Sequence, residues 1–190
     1  MIRTRYSAVA MLLHWTIAVL IVINLTLGFR MGYLKGLAQY DIFQLHKSVG
    51  ITILLLSLLR LAWRLANRPP PEPASLQPWE KAGAAVVHWG FYIIMIGMPL
   101  SGWLLVSTSP LNIPTLLFHL VPWPHVPGTQ SLAAGPKHAV NALSTATHLA
   151  LAWGTLALLF LHISAALKHQ IVDKDAVLGR MIPRVPQPKA

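Results

Sequence analysis

The sequence predicts an all-α fold, a transmembrane four-helix bundle that forms a single membrane-embedded domain over residues 1–190. The chain is 55% hydrophobic and only 11% charged, whereas soluble domains usually carry about 25% charged residues. Four apolar stretches have the length of about 20 residues that crosses a bilayer. Only helices and closed barrels can span lipid, and runs this long are not barrel strands. The predicted helices cover residues 7–29, 46–66, 82–109 and 141–167.

The first predicted helix follows Arg3 and Arg5 and superficially resembles a signal peptide. Its uncharged stretch, Tyr6 to Phe29, is longer than the core of about 7–15 residues that signal peptides have, and no A-x-A-like cleavage site follows. We therefore expect this helix to be retained in the protein.

The other three helices differ in charge and in their helix-breaking residues. The second carries Arg60 and Arg64 in its last turns, while the third and fourth contain no charged residue. In the third, Pro99 lies between Gly97 and Gly102, which predicts a kink. Residues 30–45 are expected to form a short connection, 68–80 a stiff Pro-rich linker, and 110–138 a longer Pro/Gly-rich loop.

The basic residues predict the orientation of the bundle. Eleven of them fall on the side of the N-terminus and four on the opposite side, the four being Arg30, Lys35, Lys47 and Lys137. By the positive-inside rule both termini then face the cytoplasm. The net charge of +10 therefore favours contact with anionic lipid headgroups, and no binding of nucleic acid is expected.

The sequence has no cysteine and no acidic residue within its apolar segments, and both facts exclude or disfavour particular functional sites. The chain has no cysteine, which excludes disulfides, thiolate-ligated iron–sulfur clusters and the covalent attachment of c-type haem. All five acidic residues lie outside the apolar cores of the helices. Proton pumps and cation transporters usually need carboxylates within the membrane, so a transporter is not favoured.

Four histidines within or at the ends of the apolar stretches carry the functional prediction. An imidazole in hydrocarbon is costly unless its nitrogens are used. His148 and His162 are 14 residues apart, about 21 Å and close to four turns, so both rings project from nearly one face of the fourth helix. By depth, His14 pairs with His162 near the cytoplasm and His46 with His148 near the outside. Two bis-histidine sites in a bundle match the needs of two b-type haems.

The remaining histidines leave alternatives open. A single buried histidine can simply be hydrogen-bonded within the bundle, and His88 competes with His14 as the partner of His162. His169 lies seven residues after His162 on the same helical face. His88 and His169 are both candidates to border a quinone site. His119 and His125 fall in the outer loop, where we expect them to be solvated. A pairing of His138 with His162 would need about 36 Å of helix, more than the hydrocarbon thickness.

Three arginines, Arg60, Arg64 and Arg68, recur every four residues along one edge of the second helix. Their side chains can extend to lipid phosphates at the membrane surface. The alternative is that Arg60 and Arg64 contact the propionates of the inner haem.

The chain resembles the bacterial cytochrome b561 family, which belongs with the b-type subunits of nickel hydrogenases. The motifs that carry the resemblance are R-Y-S…L-H-W-T around His14, L-H-K-S-V-G-I around His46, V-V-H-W-G-F-Y at His88, T-H-L-A-L-A-W at His148 and L-H-I-S-A-A-L-K-H-Q-I-V-D-K-D from His162. The resemblance implies a dihaem cytochrome of the bacterial inner membrane. It also implies that the haem ligands are His14, His46, His148 and His162.

Members of that family pass electrons between a donor and the quinone pool, and some use superoxide as donor. The expected cofactors are therefore two haem b groups, with ubiquinone as the candidate quinone, and the basic outer residues could steer a small anion toward the outer haem. The outer donor, the direction of electron flow, the status as an oxidoreductase and the oligomeric state stay open. Two alternatives are a membrane-anchor cytochrome b subunit of a hydrogenase- or dehydrogenase-like complex and a histidine-based divalent-metal carrier.

Overall fold

Four long helices make up the protein in a computed structural model that describes residues 5–73 and 76–183. Each covers one of the four predicted spans to within one residue at either end, so the all-α, four-helix prediction is confirmed. The helices are α1 (Ala8–Arg30), α2 (Gly36–Ala66), α3 (Pro78–Thr108) and α4 (Ala134–Lys168). All four are long and apolar enough to cross a membrane. Consecutive helices pack against one another, α1 on α2, α2 on α3 and α3 on α4.

Two predicted connections are partly helical. Helix α2 begins at Gly36, ten residues before the predicted start, because residues 37–45 contain no Gly or Pro that would stop it. His46 therefore lies about three turns into the helix. Helix α4 begins at Ala134, because Pro136 falls in the first turn, where a missing N–H is tolerated. Helix α3 runs on through Pro99.

A compact apolar cluster fills the middle of the bundle. It consists of Ile17 and Ile21 from α1, Val49 and Ile53 from α2, and Tyr92 and Met95 from α3. Large apolar side chains on the outer faces are exposed, among them Leu12, Leu55, Ile93 and Phe160. This reversal of the usual polar surface is what a bundle surrounded by lipid requires.

The two ends of the bundle are built differently. At one end, which we call the cap end, residues 110–133 cover the helices. At the other, the termini end, residues 5–7, 67–73, 76–77 and 169–183 come together. Within the cap, β1 (Thr115–Leu117) and β2 (Val121–Trp123) form an antiparallel hairpin. The loop prediction for this segment therefore missed a small element of regular structure.

The hairpin is fastened to α2 by buried polar side chains. Gln44, which is 0% exposed, donates to the Pro114 carbonyl at 2.9 Å and accepts from the Leu116 N–H at 3.1 Å. The Ser48 hydroxyl accepts from the Phe118 N–H at 2.8 Å. An isolated two-stranded hairpin is marginally stable, so these bonds supply the partners that a third strand would otherwise provide.

Replacing Gln44 should loosen the cap. Gln44→Ala leaves two buried backbone groups without this partner, which costs about 1–3 kcal/mol. We expect faster proteolysis within residues 110–133 and a lower midpoint of thermal unfolding. Gln39→Ala is the matched control, because Gln39 lies on the same helix, is exposed, and makes one hydrogen bond to Met31. Equal cleavage rates in the two variants would contradict the role given to Gln44.

Candidate functional site

At the cap end, the rings of His46 and His148 face each other with their centroids 6.2 Å apart and their planes at 80°. Nδ1 of His46 lies 3.1 Å from the Asn24 carbonyl oxygen, and Nδ1 of His148 lies 3.0 Å from that of Met98. An Nδ1–H that donates to a carbonyl leaves Nε2 with the free lone pair. Both rings are thus oriented as ligand histidines usually are.

Both rings contact a helix carbonyl that is followed, four residues later, by a glycine. Gly28 stands four residues after Asn24, and Gly102 stands four residues after Met98. A Cβ on Gly28 would lie 3.2 Å from Cε1 of His46, and one on Gly102 would lie 2.9 Å from Cε1 of His148. In a helix the carbonyl of one residue points toward the residue four positions later. A glycine there leaves room for the imidazole to reach the second lone pair of that carbonyl.

At the termini end, three imidazoles converge. The ring centroids of His14 and His162 are 6.1 Å apart, and those of His88 and His162 are 5.8 Å apart. Nδ1 of His14 is buried and has no hydrogen-bond partner among the described residues. A buried imidazole nitrogen without a partner needs an explanation, and a ring held for a ligand supplies one.

The ring spacings fit a shared metal. A metal–imidazole bond of about 2.0 Å, with the ring centroid about 1 Å behind the nitrogen, places two centroids about 6 Å apart across one metal. The pairs His46–His148 and His14–His162, at 6.2 and 6.1 Å, match this value. The pair His88–His162, at 5.8 Å, also comes close, so the spacing does not choose between His14 and His88.

A cavity of about 230 Å³ opens beside the cap-end pair, lined by His46 and His148. Its walls are mainly apolar, with Ile21, Met95 and Met98 among them. Gly50 also lines this cavity, whereas a Cβ on Gly154 would lie 3.3 Å from Ile94.

Lys47 lies inside this site instead of on the outer rim that the sequence predicted. It is 9% exposed, lines the cavity, donates to the Pro114 carbonyl at 2.9 Å and lies 4.6 Å from the centroid of the Phe43 ring. The indole N–H of Trp123, another lining residue, is buried without a partner among the described residues. Of the other predicted rim residues, Arg30 and Lys35 are exposed and Lys137 is half-buried.

Arg60 and Arg64 lie at the termini end, beside the three convergent histidines. Both guanidinium groups stack over Tyr92 at 5.8 Å, and Arg64 also approaches Trp89 at 5.9 Å. The charge of Arg60 is close enough to act electrostatically on His14 and His162. The positions of both arginines fit contacts with an anionic group bound next to these rings.

His169 belongs to a separate polar cluster. It is 8% exposed, and its Nδ1 lies 2.8 Å from Asp175 Oδ2 and 3.0 Å from Asp173 Oδ2. It begins a π-helical turn, His169–Asp173, a feature often found at functional sites. Lys168 Nζ bridges Glu80 and Asp173 at 2.7 Å each. The ammonium group therefore fills the place that a metal ion would take between those carboxylates.

The structure thus brings together the histidines that depth had paired, and groups His88 with the inner pair and His169 with carboxylates. The sequence reasoning missed Asn24, Gly28, Met98 and Gly102. The sequence did contain a clue to these residues. Gly28 and Gly102 lie at about the depth of His46 and His148, and a glycine at that depth leaves room for an imidazole ring to contact the helix backbone. His119 and His138 are exposed and His125 is half-buried.

Comparison with known proteins gives a consistent result. A family profile described as prokaryotic cytochrome b561 matches residues 5–184. Cytochrome b561 homolog 2 of Escherichia coli (strain K12) is 31% identical over 183 residues, covering 94% of this chain and 91% of the relative. The probable superoxide oxidase CybB of Yersinia pestis is 28% identical, covering 95% and 97%. Cytochrome b561 homolog 1 of Escherichia coli (strain K12) is also 28% identical, covering 95% and 98%.

Substitution of Gly102 tests the close contact with His148. Gly102→Ala places a methyl group against the ring, which should push His148 off the Met98 carbonyl and lower the midpoint of thermal unfolding. Gly83→Ala in the same helix is the control, because a Cβ there meets nothing within 4 Å and alanine stabilises helices. If both variants unfold at or above the wild-type temperature, the contact is not tight.

Proposed function

The chain belongs to the prokaryotic cytochrome b561 family and is a multi-pass bacterial membrane protein with b-type haem, and from this premise we propose that it carries electrons across the inner membrane through two haems. The observation that carries the proposal is the presence of two histidine pairs, 6.2 and 6.1 Å between ring centroids, at opposite ends of the bundle. His46 and His148 would hold the cap-end haem, and His14 and His162 the termini-end haem.

The chemistry that such a group supplies is simple. Iron held by two histidines exchanges single electrons and has no open position for O₂. The chain's own contribution is to hold and insulate the sites. Asn24 and Met98 fix the cap-end rings through their carbonyls, and the apolar cavity walls exclude water. At the termini end, Arg60 and Arg64 would contact the propionates.

We further propose that both termini face the cytoplasm, as the distribution of basic residues favours. The cap end is then the periplasmic side, and the cap covers the outer histidine pair. A covered site with a buried lysine suits a small anionic donor such as superoxide better than a large protein. The name of the Yersinia pestis relative, a probable superoxide oxidase, supports this choice.

Quinone, with ubiquinone as the candidate, would be reduced at the termini end. Two superoxide ions each lose one electron and leave as O₂, and quinone takes up these two electrons with two protons to form quinol. The protons must come from the cytoplasmic side. His169 is suited to deliver one, because Asp173 and Asp175 orient its Nδ1 and leave Nε2 to take up a proton from the cytoplasmic side and pass it to a carbonyl oxygen of the quinone. His88 would border the same site from α3.

Family membership speaks against the haem-free divalent-metal carrier. The membrane-anchor cytochrome of a hydrogenase- or dehydrogenase-like complex uses the same haem sites and predicts a soluble partner that co-purifies with the protein. Isolation of the chain alone with superoxide:quinone activity would favour the proposed function over this alternative.

Single substitutions of the histidines should decide the pairing. We expect His46→Ala, His148→Ala, His14→Ala and His162→Ala each to lose about half of the haem absorbance, because one of two ligand pairs is broken. His88→Ala should retain it, and His138→Ala, on the exposed start of α4, is the control. Loss of haem in His88→Ala but not in His14→Ala would make His88 the ligand opposite His162.

The role of His169 can be tested by the rate of quinone reduction. His169→Gln removes the proton-carrying group and should slow quinol formation about 100-fold, while the haem spectrum stays unchanged. Gln170→Ala, an exposed neighbour in the same turn, should keep the wild-type rate. A wild-type rate in His169→Gln would show that protons reach quinone by another route.

A further inference from the structure

A small cavity at the termini end is lined by four arginines, and no Asp or Glu is among its walls within the described residues. The cavity, which we call the arginine pocket, has a volume of about 50 Å³ and is lined by Arg5, Arg60, Arg64 and Arg68, with Tyr6 and Met181 among its other walls. The arginines come from two separate chain segments, since Arg5 precedes α1 and the other three follow one edge of α2 and the linker after it.

The pocket has a deep and a shallow part. Arg60 and Arg64 stack on Tyr92 within the bundle, where the proposed function uses them. Arg5 and Arg68 lie beyond the ends of α1 and α2, outside the apolar segments. At this depth a membrane presents the phosphates of its headgroups.

The arginines of the pocket make no ion pair within the part of the chain that the structure describes. The ion pairs found in residues 5–73 and 76–183 all involve Lys168 or His169, so none includes an arginine of the pocket. Arg5 donates through Nη2 to the carbonyls of Gly179 and Ile182. Its Nε is buried and has no partner among the described residues. A charged donor left unpaired in this way is costly, and an anion oxygen would satisfy it.

We propose that the shallow part of the arginine pocket binds a phosphate group through Arg5 and Arg68, and that its source is the headgroup of an anionic phospholipid. Guanidinium groups suit this ligand because their planar N–H donors match phosphate oxygens. The inference goes beyond the proposed electron transfer and does not depend on it.

Bound phosphate would also stabilise the junction of three chain segments. The Tyr6 N–H donates to the Arg180 carbonyl at 3.3 Å, and the Trp15 indole donates to that of Met181 at 2.9 Å. Arg180 in turn donates to the Pro71 carbonyl at 2.6 Å. A ligand held between Arg5 and Arg68 would therefore fasten the segment before α1, the linker after α2 and the C-terminal segment to one another.

The test uses the haem-loaded protein in nanodiscs of phosphatidylglycerol or phosphatidylcholine. We expect phosphatidylglycerol to raise the midpoint of thermal unfolding of the wild type by roughly 3–6 °C over phosphatidylcholine. The variant R5Q/R68Q should lose this difference, and K81Q, which removes a charge at the same end but outside the pocket, should keep it. Native mass spectrometry of R68Q should show loss of retained phosphatidylglycerol even if the double variant folds poorly.

A second arm adds millimolar inorganic phosphate to the wild type in phosphatidylcholine at matched ionic strength. No shift with phosphate, together with a shift in phosphatidylglycerol, supports the lipid headgroup as ligand. An equal shift with phosphate shows that free phosphate fills the site and overturns the lipid source. If R5Q/R68Q and R68Q keep the full lipid response, the proposal is wrong, while unchanged haem absorbance in these variants leaves the electron-transfer proposal standing.

Discussion

The structure depends on one constraint, which is that an imidazole in the apolar interior needs a partner for each nitrogen. At the cap end, two helix carbonyls meet this need for Nδ1, those of Asn24 and Met98. Each carbonyl already serves the helix ladder, so the histidine must reach its second lone pair, and Gly28 and Gly102 make that approach sterically possible. These two bonds tie α2 to α1 and α4 to α3. They help to set the height of α2 against α1 and of α4 against α3, and the two rings lie 6.2 Å apart between their centroids.

Within the described residues, the termini end leaves this constraint partly unmet. Three rings share the space there, and the Nδ1 of His14 has no partner among the described residues. Stacking of Arg60 and Arg64 on Tyr92 replaces backbone hydrogen bonds as the ordering contact. An imidazole that donates from Nδ1 to a carbonyl is a more basic ligand than one that does not. In the proposed function, this difference in hydrogen bonding would give the two haem sites ligands of different basicity.

Much of this arrangement can be predicted from the sequence, because it depends on properties of single helices, namely their length, hydropathy and rise per residue. Length and hydropathy predict the four helices, and helical rise alone matches His14 with His162 and His46 with His148 in depth. Features that rest on tertiary contacts were not predictable in this way. The cap hairpin and the inward position of Lys47 depend on bonds that join Gln44, Lys47 and Ser48 to residues 114–118, far away in sequence. The choice between His14 and His88 likewise depends on how α1 and α3 are rotated about their axes.

The distribution of charge in the protein depends on where its five acidic residues lie. Three of the five, Glu80, Asp173 and Asp175, gather around Lys168 and His169, and the remaining two are exposed. The arginines on the other side of the termini end are left without carboxylates, although four of them share one pocket. Like charges this close repel one another, and none of the ion pairs within residues 5–73 and 76–183 includes these arginines. Under the two proposals, the positive charge of this pocket would be neutralised by the propionates of a cofactor on the deep side and by the phosphates of the membrane on the shallow side.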